Sequence, residues 1–289
     1  MTDKPENPTR RTALRNLGLA GLGATAAFGT TAASGQTPAS RPLTGKVAIV
    51  TGARNNQGRA FCAALAEMGA NVVVHYHRAE TAGEAEETAR MVREAGAKAA
   101  LIQGDLGESA NVKALYDLAE AEFGGADIVI NTAGTIIKKP MADFTDDEFE
   151  RLVNDNTKTT FYSMREAARR LRDGGRIINI GTSLTAGAAP GYAGYAGTKA
   201  PVEDFGRCLS KELGARGITV NNIAPGPLDN PFFHGEENPQ SVAYATNLSV
   251  EKRLGTEQDI VPLVRYLALP DSQWTNGQTL FANGGYLTR

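Results

Sequence analysis

From Gly45 onward, short apolar runs alternate with amphipathic stretches, and this alternation restricts the chain more than any other feature of its sequence. Val47-Ala48-Ile49-Val50 is apolar without interruption, as suits a strand covered on both faces in a parallel sheet. With Lys46 at its head it forms the first strand, Lys46–Val50. Further strands are predicted at Asn71–Tyr76, Ala99–Gln103, Asp127–Asn131, Arg176–Ile180, Thr219–Ala224 and Gln278–Ala282. Between them the spacing predicts helices over Arg59–Met68, Thr81–Ala95, Ser109–Phe123 with Ser109 as cap, Asp146–Leu171, a stretch around Tyr195 running to Ala215, and Glu257–Leu267. Repeated strand–helix units of this length predict an α/β, doubly wound, seven-stranded and mostly parallel sheet with helices on both faces. One catalytic domain over 41–289 is expected. Pro201 falls inside a predicted helix, where it cannot donate to Gly197, so a local kink is expected there.

Charge and composition exclude several classes of function. The 289 residues carry a net charge of −2, and no Lys/Arg cluster stands beyond the N-terminus, so a nucleic-acid partner has no electrostatic footprint. The two cysteines, Cys62 and Cys208, are far apart and read as small buried side chains. His75 and His77 share a strand face with no third ligand spaced to join them, so no metal site is expected. Residues 1–40 read as an export signal and linker. Arg10 and Arg11 lie in a basic segment, the weakly apolar Leu17–Ala33 follows, and small residues stand near Ala33 and Gly35. That run is too weak to span a bilayer. The paired arginines resemble a twin-arginine (Tat) signal, which implies the Tat translocation machinery as a partner and a periplasmic or extracellular location. The alternative is a disordered tail on a cytoplasmic enzyme.

Two stretches carry chemistry. Thr51-Gly52-Ala53-Arg54-Asn55-Asn56-Gln57-Gly58 joins the first strand to the first helix, where glycines let the backbone approach a pyrophosphate and the helix N-terminus supplies donors. Tyr195 and Lys199 stand four apart, so a helix presents phenol and ammonium on one face. A Tyr becomes a proton carrier near neutrality if its pKa falls from about 10 by about three units, roughly 4 kcal/mol; a cation about 4 Å away supplies that order of energy at an effective dielectric of about 20.

These residues resemble the short-chain dehydrogenase/reductase family, and the resemblance runs from Gly45 to Arg289. The turn is similar to the family's Thr-Gly-x-x-x-Gly-x-Gly, with Asn56 at the middle Gly, a position where Asn tolerates positive φ. The resemblance implies that Thr51, Gly52, Arg54, Asn56, Gln57 and Gly58 hold a dinucleotide. It implies further contacts from Asp105 and Leu106 after the third strand, and from Asn131, Ala133 and Gly134 after the fourth, a motif that also stabilises the central sheet. Pro225 and Gly226 match the family's Pro-Gly beside the nicotinamide. Asp229 or Asn230 replaces a Thr usual a few residues later. The implied catalytic set is Asn156, Ser183, Tyr195 and Lys199, with Thr182 a neighbouring alternative to Ser183. In that scheme Tyr195 trades the proton, Lys199 lowers its pKa, Ser183 bonds the substrate oxygen and Asn156 holds a proton-relaying water.

The second strand ends in His75-Tyr76-His77-Arg78 with no acid to meet a ribose 2′-hydroxyl. Tyr76, Arg54 and Arg78 therefore predict NADP(H), with NAD(H) open if both arginines are merely solvated. The expected function is interconversion of a carbonyl and a secondary alcohol by hydride transfer, on a small-molecule substrate. The alternative is a non-catalytic dinucleotide-binding or sensing protein on the same fold. Residues 227–250, with Phe232, Phe233 and Tyr244, are expected to form a substrate lid. The resemblance also implies a homo-oligomer, a tetramer.

Overall fold

The computed structural model describes residues 41–288; residues 1–40, read above as an export signal and linker, lie outside the described residues. Seven strands, β1 (Val47–Val50), β2 (Asn71–Tyr76), β3 (Ala99–Gln103), β4 (Ile128–Asn131), β5 (Arg176–Ile180), β6 (Thr219–Pro225) and β7 (Thr279–Ala282), form one sheet in the order 3-2-1-4-5-6-7. Every pairing is parallel, so the expected fold class holds and the sheet is parallel throughout. Helices α1 (Asn56–Glu67), α2 (Ala82–Glu94) and α3 (Ser109–Phe123) follow the first three strands. After β4 come α4 (Asp146–Leu152), a π-helical turn (Val153–Lys158) and α5 (Thr159–Arg170). Next are α6 (Ala193–Lys199) and α7 (Pro201–Glu212). Between β6 and β7 lie α8 (Pro231–His234), α9 (Pro239–Leu248) and α10 (Glu257–Ala268).

Strand side chains alternate between two apolar layers, as the two-residue period requires. Val50, Val72, Val74, Ile130, Ile178 and Ile223 pack with α1, α2 and α10. Ile49, Val73, Val129, Ile177 and Val220 pack with α3, α5 and α7 on the opposite face. Among the described residues no helix is long and apolar enough to cross a membrane.

Several local expectations change. Ser109 is the first residue of α3, with Glu108 in the cap position and no side-chain cap bond. Cys62 is buried, but Cys208 is exposed, because it lies on the outer side of α7 away from the apolar layer. The long helix expected over 146–171 runs through as α4 and α5 with one widened turn between them. At Pro201 the backbone stays helical through Ala200 (φ −56°, ψ −42°), so the proline opens a second helix where the missing N–H ends the first.

A buried amide ladder crosses the sheet at one level. Asn131 Nδ2 donates to Asn179 Oδ1 (2.8 Å), Asn179 Nδ2 to Asn222 Oδ1 (2.9 Å), and Asn222 Nδ2 to Thr279 Oγ1 (3.3 Å). These residues are direct register partners on β4, β5, β6 and β7. A stranded buried polar group costs about 1–3 kcal/mol. Asn179→Ala removes a partner from both Asn131 and Asn222, so urea unfolding should show a loss on the order of 2–4 kcal/mol; a change within about 0.5 kcal/mol would mean the ladder contributes nothing.

Candidate active site

The strand order turns back beside β1, so a crevice opens at the carboxyl ends of β1 and β4. Thr51, fully buried, closes its floor: its hydroxyl accepts the N–H groups of Thr132 and Ala133, both at 3.0 Å. The next residue needs a glycine twice over. Gly52 has φ +61°, and a Cβ there would lie 2.8 Å from Ala133 Cα. Asn56 adopts φ +43°, the left-handed conformation anticipated for it. At Gly58 a Cβ would fall 2.4 Å from the Gly52 carbonyl, so the turn lies directly on the first turn of α1. The α1 N-terminus has no side-chain cap and no acid in its first turn, which leaves its N–H groups to an anion.

His75 fixes this turn from beneath. Gly52 N–H donates to its Nδ1 (3.1 Å), so Nε2 carries the proton and donates to the Gly104 carbonyl (2.9 Å). Burial pushes the imidazole down to about 4, which keeps it neutral and the two bonds intact. The ring thus ties the turn after β1 to the loop after β3.

The crevice continues into a groove of about 830 Å³. Of the residues expected to bind cofactor, Gly52, Arg54, Asn56, Gln57 and Gly58 line it from the turn. Tyr76, Arg78, Asp105, Leu106, Ala133 and Gly134 line it from the ends of β2, β3 and β4, and Tyr195 and Lys199 close it. Four lie elsewhere. Thr51 and Asn131 are buried behind the groove, Asn131 because its amide belongs to the ladder, and Pro225 and Gly226 face a second cavity. Arg54 is not simply solvated: its guanidinium pairs with Glu84 of α2 at 2.5 Å, and Asn55 donates to the same carboxylate.

Tyr195 stands where groove and second cavity meet, and lines both. The second cavity, about 480 Å³, is walled by Thr182, Ser183, Tyr192, Pro225, Gly226 and the segment expected to cover it, including Phe232, Phe233 and Tyr244. That segment is built from α8 and α9, each opened by a capping Asn followed by Pro: Asn230-Pro231 and Asn238-Pro239. Those two pairs were a legible helix-start signal. Asn230 also bonds Glu257 through its Nδ2 (2.8 Å).

The four expected catalytic residues separate into those that converge and one that turns away. Asn156 lies fully buried in the π-helical turn; its Oδ1 accepts from Thr135 N–H (2.9 Å) and its Nδ2 donates to Thr198 Oγ1 (3.1 Å). Such turns recur at functional positions in helices. Asn154, its sequence competitor, instead reaches Asp105 at 3.3 Å. Lys199 and Asn156 meet at Gly134, where a Cβ would lie 2.7 Å from Asn156 Oδ1 and 2.9 Å from Lys199 Nζ. The Lys199 ammonium donates to the Ile180 carbonyl (3.1 Å), and burial lowers its pKa to about 8. Burial pushes the Tyr195 phenol up to about 12, opposed only by the adjacent Thr182 hydroxyl. The expected lowering of Tyr195 by Lys199 is therefore not what this geometry provides, because Nζ is directed to the end of β5. Ser183 is the residue that turns away. Its hydroxyl donates to the Ala224 carbonyl (3.0 Å) and accepts from Asn283 Nδ2 (3.0 Å), while Thr182 sits beside the phenol.

Beyond Tyr195 lies a cluster that the sequence did not single out. The Glu237 carboxylate accepts from the Tyr192 hydroxyl and from Lys138 Nζ, and that ammonium stands 5.0 Å from the Tyr192 ring centre. No motif marks it, because its members come from three separate connections.

A parallel sheet, a glycine-lined turn on an open helix N-terminus, and a buried Tyr–Lys pair at the end of the groove define a dinucleotide-dependent oxidoreductase. Residues 52–287 match the family model described as enoyl-(acyl carrier protein) reductase. An NADPH-dependent aldehyde reductase-like chloroplastic protein of Arabidopsis thaliana is 38% identical over 260 residues, covering 85% of this chain and 96% of its own. Among solved structures, a protein from Burkholderia cenocepacia with bound NADP is 41% identical with a TM-score of 0.83, covering 87% of this chain and 97% of that one. The angucycline C-6 ketoreductase LanV with bound NADP is 33% identical with a TM-score of 0.80, covering 85% and 97%. The chain belongs to the short-chain dehydrogenase/reductase family, and it is an oxidoreductase acting on carbonyl and alcohol groups.

Proposed function

We propose that this protein is an NADP(H)-dependent carbonyl reductase or alcohol dehydrogenase in which Tyr195 is the proton donor and acceptor. The observation that carries the reading is the position of the phenol, shared by a dinucleotide-shaped groove and an aromatic-walled cavity. When bound, the dinucleotide gives or takes hydride at its nicotinamide. The α1 N-terminus, Gly52, Asn56 and Gly58 would hold its pyrophosphate, and Lys199 its nicotinamide ribose. Arg54 and Arg78 would hold a 2′-phosphate, Arg54 by exchanging Glu84 for it. The bound NADP of the two solved relatives supports this choice, and NAD(H) is the weaker alternative.

For carbonyl reduction, the protonated Tyr195 donates to the substrate oxygen while Thr182 hydrogen-bonds that same oxygen as charge grows on it. Lys199 and Asn156, joined at Gly134, lead the replacement proton inward. Thr182 takes the role expected of Ser183, because Ser183 is held by Ala224 and Asn283. A purely cofactor-sensing protein needs no such set facing a second cavity, which favours catalysis over that alternative.

The test is turnover of ketones with NADPH and with NADH. Tyr195→Phe should lose on the order of 10²–10⁴ in kcat yet bind NADPH nearly as before. Thr182→Ala should lose about 10²-fold or more and Ser183→Ala much less. Full activity in Tyr195→Phe would remove the assignment, and the reverse order of the two hydroxyl variants would restore Ser183.

The raised phenol pKa also fixes a direction with pH. Alcohol oxidation needs the phenolate, whose fraction grows as pH climbs toward about 12, whereas reduction needs the phenol, present throughout the neutral range. Rates of oxidation should rise from about pH 6 to about pH 9, and reduction should not; an acidic optimum for oxidation would contradict the role of Tyr195.

Export and assembly complete the reading. Arg10, Arg11 and the run to Ala33 support Tat-dependent export with cofactor already bound. Replacing both arginines by Lys should leave an active, uncleaved precursor in the cytoplasm; continued export of that form would refute the route. Exposed Phe149 and Phe161, the latter 5.3 Å from Phe205 of α7, support a homotetramer, which light scattering checks.

A further inference from the structure

We propose that Glu237 is the substrate-anchoring residue of the second cavity, selecting uncharged, flat carbonyl compounds that carry a hydroxyl away from the carbonyl. The inference rests on the reductase reading above and adds the class of substrate to it. Glu237 lines the cavity although its side chain is only 2% exposed. Burial works to raise its pKa, but Lys138, Ser241 and Tyr192 outweigh burial and hold it below the usual carboxylate range. An ionised carboxylate offers about four acceptor positions. Two are met by hydrogen bonds from the Tyr192 hydroxyl and Lys138, while the Ser241 hydroxyl donates to the Asn238 carbonyl. The capacity that remains suits a donor brought by the ligand.

Distance and surroundings decide which ligand. The Tyr192 ring centre is 6.4 Å from that of Tyr195, and Glu237 sits at the hydroxyl end of Tyr192. Tyr192 therefore links the two polar groups of the cavity, its ring beside Tyr195 and its hydroxyl on Glu237. Phe232, whose ring centre is 6.4 Å from that of Tyr195, and Tyr244 give flat apolar contact between the two polar ends. An anionic substituent meets a carboxylate there, and the nearby ammonium of Lys138 is already committed to Glu237. A site that hydrogen-bonds a substrate hydroxyl discriminates strongly against the analogue lacking it, because the site's own polar group is left unpaired.

The experiment compares α-tetralone with its ring-hydroxylated and ring-carboxylated derivatives, using the full-length enzyme with NADPH. Calorimetry of the same compounds on the NADP⁺ complex gives binding apart from turnover. Wild type should favour the hydroxylated ketone over tetralone by at least about tenfold in kcat/KM, with the carboxylated one poorest. Glu237→Gln should reduce that ratio to within about threefold. Tyr192→Phe frees another acceptor position on Glu237 and should keep or raise the ratio. An unchanged ratio in Glu237→Gln overturns the proposal, as does an equal fall in both variants, the result expected if the cluster only fastens α8 and α9. If wild type reduces none of these ketones, the reductase reading fails on its own. Calorimetry then still decides: tighter, Glu237-dependent binding of the hydroxylated compound upholds the anchor, and equal binding overturns it.

Discussion

The Thr51 hydroxyl, buried at the end of β1 and accepting two N–H groups from the end of β4, holds together the place where the sheet's two directions of winding diverge. Backbone groups freed where two strands part must find partners or water. Here one side chain satisfies two of them, so the chains after β1 and β4 leave in opposite directions without a disordered gap. The crevice that results positions Gly52 against Ala133 and brings Gly134 to Lys199. Both halves of the site therefore hang on a single strand junction.

Burial, not pairing, governs the electrostatics of the site. Tyr195 and Lys199 are both shielded from water, and desolvation disfavours each charged form, moving the phenol up and the ammonium down. An attraction of roughly 4 kcal/mol between charges about 4 Å apart requires that both be charged and directed at each other. Lys199 instead bonds the Ile180 carbonyl, so in this state the pair is poised for proton donation to a carbonyl. Thr182 is the nearest group that favours the phenolate.

The substrate side is held by contacts between distant connections. Lys138 follows β4, Tyr192 precedes α6, and Glu237 lies between α8 and α9; the carboxylate joins all three. Lys138 N–H also donates to Glu236 at 2.9 Å, so backbone and side chain of one residue fasten the covering segment. A largely apolar wall with one charged cluster orients a ligand more than it attracts one.

Sequence alone determined the strands, the helices that follow them, and the neighbourhood of Tyr195 and Lys199. Each of these follows from periodicity or from residues within one turn of each other, which physics constrains locally, and the family resemblance added the turn with Asn56 in a left-handed conformation. Tertiary structure decided the rest. Thr182 and not Ser183 faces the phenol because β6 and the C-terminal loop hold Ser183 through Ala224 and Asn283. Of the two roles expected of the Asn131 motif, the side chain serves the sheet, because its register partner is Asn179. Arg54 gained Glu84 from α2, and Tyr192 gained Glu237, through contacts 30 and 45 residues apart in the chain. Spacing along a sequence carries no information about such distances; only the packing of the helices on the sheet sets them.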